Sequence, residues 1–234
     1  MALILSFDTT TKVCAVAVGD GDRLLAQRTD SSDRLNHAEV LNRFVAEALE
    51  DAGVQLRSLS AVAVGVGPGS YTGSRIGLSA AKGFCFALEI PLIGMGTPQV
   101  LVHALRASGF TPRERDLLHP MIDARRMEVF TTTFAADGEV LDAAHPLVLD
   151  AAWHASWPEE VRHVVFGDGA DKAPEVFASD ATVVHVVGIR PGPEGLVACA
   201  HEHYQRGHFA DPAYLVPDYG KAANVAQPKS RGVQ

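Results

Sequence analysis

Cysteine is scarce in this chain of 234 residues: only Cys14, Cys85 and Cys199 occur. Their number is odd, no CxxC pair is present, and each has apolar or small neighbours. That excludes a disulfide framework and the usual zinc spacings, and predicts buried thiols in a reducing compartment. Long apolar runs are also missing. No stretch approaches the roughly 20 residues a membrane span needs, so no membrane association is expected. The run Ala2–Phe7 ends at Asp8 without a basic region before it, so no signal peptide is read and a cytoplasmic location is expected. Basic charge is in deficit, with 20 Lys and Arg against 28 Asp and Glu. A net charge of −8 argues against a protein that grips nucleic acid alone. The deficit is uneven: residues 1–110 carry −1, residues 111–220 carry −10, and residues 221–234 carry +3.

Catalytic signatures are lacking too. There is no Gly-x-Ser-x-Gly elbow, and neither Cys14 nor Cys85 has a local catalytic signature. The stretch Gly67-Pro68-Gly69-Ser70-Tyr71-Thr72-Gly73-Ser74-Arg75-Ile76-Gly77 lacks the Gly-Lys-Ser/Thr of a P-loop, and Ser70 stands where a dinucleotide fingerprint needs its third glycine. A helical HxxxH pair would hold a metal, but four residues after His37 stands Leu41.

What is present is a 47% hydrophobic chain, long enough for one large domain or two small ones. Strands are predicted at Ala2–Asp8, Val13–Val18 and Arg23–Gln27, then a helix on the His37, Val40, Leu41, Phe44, Val45, Ala48 and Leu49 periodicity. Asn36 is its expected cap and Gly53 its stop. A buried strand, Ala61–Val66, feeds the glycine stretch and a helix to about Leu88, followed by a strand at Pro91–Gly94 and a helix at Pro98–Arg106.

The second half repeats that order. Ile122-Asp123 ends a strand as Phe7-Asp8 does, Asp137-Gly138 turns as Gly21-Asp22 does, and Val164–Gly169 answers Val64–Gly67. A last helix is expected at Glu194–Gln205. This duplication predicts an α/β fold of two lobes, each with a mixed sheet and flanking helices. The expected divisions are residues 1–108, residues 109–220 and a basic tail over 221–234.

Each candidate site has a plainer reading beside it. Asp8-Thr9-Thr10 ends the first strand, where open α/β sheets place ligands, but a phosphate turn normally has a glycine here. A hydroxyl-rich turn that satisfies its own backbone is favoured. Gly67, Gly69 and Ser70 offer free amides at a helix start, and again a simple helix start is favoured. Gly73, Gly77, Ala80, Ala81 and Ala87 line one side of the second helix, which calls for a close backbone, either the protein's own sheet or a partner. Arg125-Arg126 reads as a turn ion pair rather than a phosphate clamp. The pair Glu159 and Glu160 reads as a solvated face, and His201, His203 and His208 as solvated histidines.

Taken in order, Ile4–Thr10, Asn36–Leu41, Gly67–Gly77 and Ile122–Arg125 resemble the TsaB (YeaZ) family, subunits of the bacterial machinery that forms threonylcarbamoyladenosine (t6A) in tRNA. The likeness runs to about Ala170 and thereafter rests mainly on Pro212–Leu215. It implies a duplicated actin-like fold of the ASKHA, ribonuclease H-like class and no independent catalysis. It implies a TsaD-type catalytic paralogue and a TsaE-type ATPase as partners, with ATP and metal held by them and tRNA met only through the complex. Pairing with the paralogue, or self-association into a homodimer, would use the first two helices. His37, Leu41, Phe44, Gly73, Arg75, Ile76, Gly77, Ala80 and Phe84 are the nominated interface. Asp8, Thr9, Thr10, Gly67, Gly69 and Ser70 would be a vestigial nucleotide loop. The weighed alternatives are an ATP-dependent small-molecule kinase, suggested by Asp8, Asp123 and Gly167-Asp168-Gly169, and a peptidase-like protein.

Overall fold

Among the described residues, ten strands fall into two five-stranded sheets with the same internal order. The first comprises β1 (Leu3–Asp8), β2 (Cys14–Asp20), β3 (Arg23–Asp30), β4 (Ala61–Gly67) and β5 (Leu92–Gly96), in the order β3-β2-β1-β4-β5. The second comprises β6 (Leu117–Asp123), β7 (Glu128–Ala135), β8 (Val140–Val148), β9 (His163–Phe166) and β10 (Val183–Val186), in the order β10-β9-β6-β7-β8. In each, an antiparallel meander continues into two parallel strands. The predicted duplication is thus present in the topology. The computed structural model describes residues 2–31, 37–150, 152–158 and 160–221. The expected cap Asn36, the loop residues Ser32 and Asp33, Glu159 and the tail beyond Lys221 lie outside the described residues.

The helices are α1 (His37–Ala52), α2 (Tyr71–Leu88), α3 (Thr97–Ala107), α4 (Asp168–Asp171), α5 (Pro174–Phe177) and α6 (Pro193–Gln205), with one 3-10 turn at Leu56–Ser58. Helix α1 starts and stops where its periodicity predicts, and Gly53 follows it with φ +64°. Its buried stripe packs with α2 on one face of the first sheet, against Leu5, Phe7, Val16, Val62 and Val64. All three cysteines are buried and unpaired, and burial pushes the Cys14 and Cys85 thiols up to about 12 and 11.

The other faces are covered crosswise. Helix α6, which falls in the second half of the sequence, packs on the first sheet: Leu196, Val197, Cys199 and Ala200 meet Ile4, Ala15, Ala17, Ala61 and Ala63. Helix α3, from the first half, sends Leu101, Val102 and Leu105 into the second sheet's core with Leu118, Ile122, Phe130 and Phe166. Where the two helices touch, Gly195 lies so close to the Val100 carbonyl that an added Cβ would sit 2.7 Å from it. The small residues on β2 and β4 make room for α6, and α3 is apolar on two sides because each side meets a different sheet.

The second lobe departs from the repeat on its remaining face. The short helices α4 and α5 stand where the first lobe has α2, and irregular chain over residues 152–158 stands where it has α1. That chain lays Trp153 over His119 and His163, with ring centroids 5.2 and 5.7 Å away. His119 Nε2 and His163 Nδ1 share a hydrogen bond of 3.0 Å, and Thr133 bonds the other His119 nitrogen. His154, itself paired with Asp180, lies 5.0 Å from the His163 ring. Burial, reinforced by the neighbouring histidines, pushes His119 down to about 3 and His163 down to about 4.

This cluster sets a pH dependence with a definite sign. Folded, these rings stay neutral; unfolded, they take up protons below about pH 6.5. Stability is therefore lost as pH falls from 6.5 towards 4. For His163 alone the loss from pH 7 to pH 5 is about 2 kcal/mol. Urea midpoints across this range measure it, and His163→Gln is expected to flatten the acid limb.

Candidate functional site

Asp8 closes β1 and is wholly buried. Its Oδ1 accepts from the Thr10 amide at 2.6 Å and the Thr10 hydroxyl at 2.7 Å. Its Oδ2 finds no hydrogen-bond partner among the described residues and lies over Gly65, where an added Cβ would overlap it. Burial pushes this carboxyl up, against the pull of the Thr10 hydrogen bonds. The Thr10 hydroxyl also meets Thr97 Oγ1 at 2.8 Å, and Thr9 Oγ1 donates to the Gly73 carbonyl at 2.7 Å. From the other side, the Ser70 amide donates to the Thr10 carbonyl at 2.5 Å, and Gly69 lies directly on that carbonyl. Ser70 Oγ accepts from Gly73 N at 3.1 Å and caps α2. Asp8, Thr9, Thr10, Gly69 and Ser70 are thus brought together, with their donors and acceptors spent largely on one another.

The remaining loop residue, Gly67, meets an element the sequence did not reveal. Residues 211–221 run as a strap from the first sheet to the second. Ala210 forms a bridge to Leu92, and Leu215 packs onto Gly94. The Asp218 amide donates to Val66 O at 2.8 Å, and its carbonyl presses on Gly67. Arg75 Nε donates to Tyr219 Oη at 2.8 Å, and Tyr219 stacks on Tyr71 with centroids 4.7 Å apart. Gly220 sits against Phe130 of β7, and Lys221 pairs with Glu128. The strap has neither helical nor strand periodicity, which is why only Pro212–Leu215 stood out in the sequence.

Between α1 and α2 the surface opens into an apolar groove of ≈ 520 Å³, lined among others by Ala38, Leu41, Ile76, Ala80, Gly83 and Phe84. Gly83 is exposed, and nothing lies within 4 Å of the position its Cβ would take. One turn on, Phe86 is 87% exposed. Of the nominated interface residues, Leu41, Ile76, Ala80 and Phe84 line this groove and Arg75 is exposed near its end. His37, Phe44, Gly73 and Gly77 lie elsewhere, buried inside the lobe. His37 Nε2 donates to the Thr11 carbonyl at 2.9 Å. Gly73 and Gly77 face Thr9: a Cβ on Gly73 would overlap the Thr9 carbonyl oxygen, and one on Gly77 would come within 2.5 Å of Thr9 Oγ1. The small-residue side of α2 therefore splits. These two glycines serve the protein's own strand turn, while Ala80 faces the groove. Gly83, which completes that open side, was passed over in the sequence, although a glycine in a helix interior is itself a signal.

In the second lobe Asp123 occupies the place of Asp8. Lys172 Nζ donates to its Oδ1 at 2.5 Å and to the Glu128 carbonyl at 2.6 Å. This corrects the reading of Arg125-Arg126 as a turn ion pair: the lysine takes the carboxylate, and both arginines are exposed. Both also have left-handed backbone, with φ of 72° and 52°, a conformation that costs an L residue about 1–2 kcal/mol. Of the late histidines His208 is exposed as read, but His201 and His203 are half-buried, and His203 bonds Gln99 at 3.0 Å. Among the described residues no group of three His, Cys, Asp or Glu is placed to hold a metal ion, and no helix is long and apolar enough to cross a membrane.

Residues 24–163 match the family model described as TsaD, tRNA N6-adenosine threonylcarbamoyltransferase. The chain is 29% identical to the tRNA threonylcarbamoyladenosine biosynthesis protein TsaB of Bacillus subtilis, over 95% of each chain. Among solved structures, YeaZ from Pseudomonas aeruginosa superposes with a TM-score of 0.78 at 26% identity, covering 94% of this chain and 100% of that one. An inorganic polyphosphate/ATP-glucomannokinase from Arthrobacter superposes at 0.52 with 11% identity, over 88% of this chain and 100% of its own, a likeness of fold alone. These neighbours identify the two repeated sheets as a duplicated actin-like architecture.

Proposed function

Since the chain belongs to the TsaB (YeaZ) family, we propose that it is a non-catalytic subunit of the machinery that forms t6A in tRNA, docking a TsaD-type transferase through the groove between α1 and α2. The observation that carries this is the groove itself. It is apolar, it is open, and the bare Gly83 lets a second backbone approach in the way close helix pairs require. In such a complex a TsaE-type ATPase joins the pair in the cytoplasm, the partners hold ATP and metal, and tRNA is met by the assembly as a whole. Without its partner, the same groove admits a second copy of this chain.

Catalytic silence is supported by how the two strand-end carboxylates are used. Asp8 is buried under Thr10, and Asp123 is held by Lys172. A nucleotide's phosphates would have to displace the Thr10 carbonyl from Gly69 and the Asp218 carbonyl from Gly67. The same packing weighs against the kinase reading.

The test is light scattering on a sizing column, with this chain alone and mixed with the TsaD-type protein of the same source. A one-to-one species at micromolar concentration is the expected result, together with no heat on titrating the isolated chain with Mg-ATP. Absence of any mixed species, with or without nucleotide, overturns the docking reading.

A further inference from the structure

We propose that the β6–β7 turn, through Arg125 and Arg126, is a contact for the phosphodiester backbone of RNA within the assembled complex; this rests on the reading of the chain as a subunit of a tRNA-modifying assembly. The first argument is charge. Residues 111–220 carry a net −10, a field that repels a polyanion. Within that half, Arg162, Lys172, Arg190 and Arg206 are each spent on a carboxylate. Arg113, Arg115, Arg125 and Arg126 are not: among the described residues no hydrogen bond or ion pair of their guanidinium groups is found, and all four are exposed, but only Arg125 and Arg126 are adjacent, whereas Arg113 and Arg115 flank Glu114.

The second argument is the neighbourhood. The two acids flanking the turn, Asp123 and Glu128, are already matched, one by Lys172 and the other by Lys221. The turn is therefore a local surplus of two positive charges on an acidic lobe. Lys221 is also where the basic last stretch of sequence begins, and Lys229 and Arg231 follow it.

The third argument is backbone. Two consecutive arginines hold left-handed conformations that glycine would adopt freely. The turn does not use their side chains to hold itself together; it is closed by backbone bonds from Glu128 N to Arg125 O and from Ala124 N to Glu128 O. Strained conformations retained where a relaxed residue would fit mark functional positions. Planar guanidinium groups suit phosphate oxygens, and two adjacent ones suit successive phosphates along a strand.

The experiment uses the full chain assembled with its TsaD-type and TsaE-type partners, and a transcribed tRNA from the same source as probe. Binding is followed by fluorescence anisotropy across a salt series, for wild type and for the double variant Arg125→Gly with Arg126→Gly. The glycines keep the left-handed turn, so the fold and the assembly are expected to survive. Affinity is expected to fall about tenfold or more near 0.1 M salt. The log–log salt slope should shrink by about 1.4–1.8, the loss of two phosphate contacts. A variant complex with unchanged affinity and slope overturns the inference while leaving the docking reading intact. A variant that folds but no longer assembles also overturns it, because the turn would then be a protein contact. Failure of the wild-type chain to assemble overturns the docking reading first, and the inference with it.

Discussion

Ala80→Arg is expected to weaken assembly with the TsaD-type partner by at least about a hundredfold, with the isolated chain's circular dichroism and melting temperature close to wild type. Ala80 is half-buried on the groove side of α2, beside Ile76 and Phe84 and one turn from the open Gly83. An arginine there can extend into solvent in the free chain. In a complex it must either push the opposing helix away or be buried without a partner. Removing a charge from water uncompensated costs several kcal/mol, and each 1.4 kcal/mol is tenfold in affinity. Titration calorimetry against the partner reads the affinity. If the variant instead loses its helical signal, α2 packs through Ala80 internally and the groove is not the docking face.

Gly73→Ala is expected to be strongly destabilising, and Gly83→Ala to act in the opposite direction. Both glycines lie in α2, where helix propensity alone favours alanine by about 1 kcal/mol. At Gly83 nothing opposes that gain, because the added methyl meets open space. At Gly73 the methyl overlaps the Thr9 carbonyl and displaces the turn that holds Asp8. Overpacking against backbone costs about 3 kcal/mol, which in a chain of this size lowers the melting temperature by roughly 6–12 °C. Differential scanning calorimetry on both variants decides the matter. A neutral Gly73→Ala would mean that the first turn yields easily to the added methyl.

Much of this architecture could be read from the residues, and the parts that could not share a physical reason. Helix α1, the strand ends at Asp8 and Asp123 and the capped start of α2 follow from periodicity, turn chemistry and the repeat, all of which are local. The direction a small residue faces is not local. Gly73, Gly77 and Gly83 look alike in sequence, yet two press on Thr9 and one is bare. Likewise Asp123 sits two residues from Arg125, but its partner is Lys172, which only the β6–β9 pairing brings near. The His119–His163 pair and the strap over Gly67 depend on the same kind of long-range contact. His119 did carry a faint signal, as a polar residue at an inward position of an apolar strand, but a lone histidine there has no meaning until His163 is placed opposite.

The crosswise placement of α3 and α6 governs how the chain can come into being. The first sheet is complete once β5 has been made, but most of one face, beyond what α3 covers with Val100, waits for α6, about a hundred residues later. At ribosomal speeds of roughly 5–20 residues per second that interval is on the order of 5–20 s. Throughout it Ile4, Ala15, Ala17, Ala61 and Ala63 remain uncovered. Folding therefore cannot proceed vectorially, lobe after lobe, on the nascent chain. The first strand to leave the ribosome waits for the last helix, and an early stop codon anywhere before that helix leaves no half-molecule able to stand by itself.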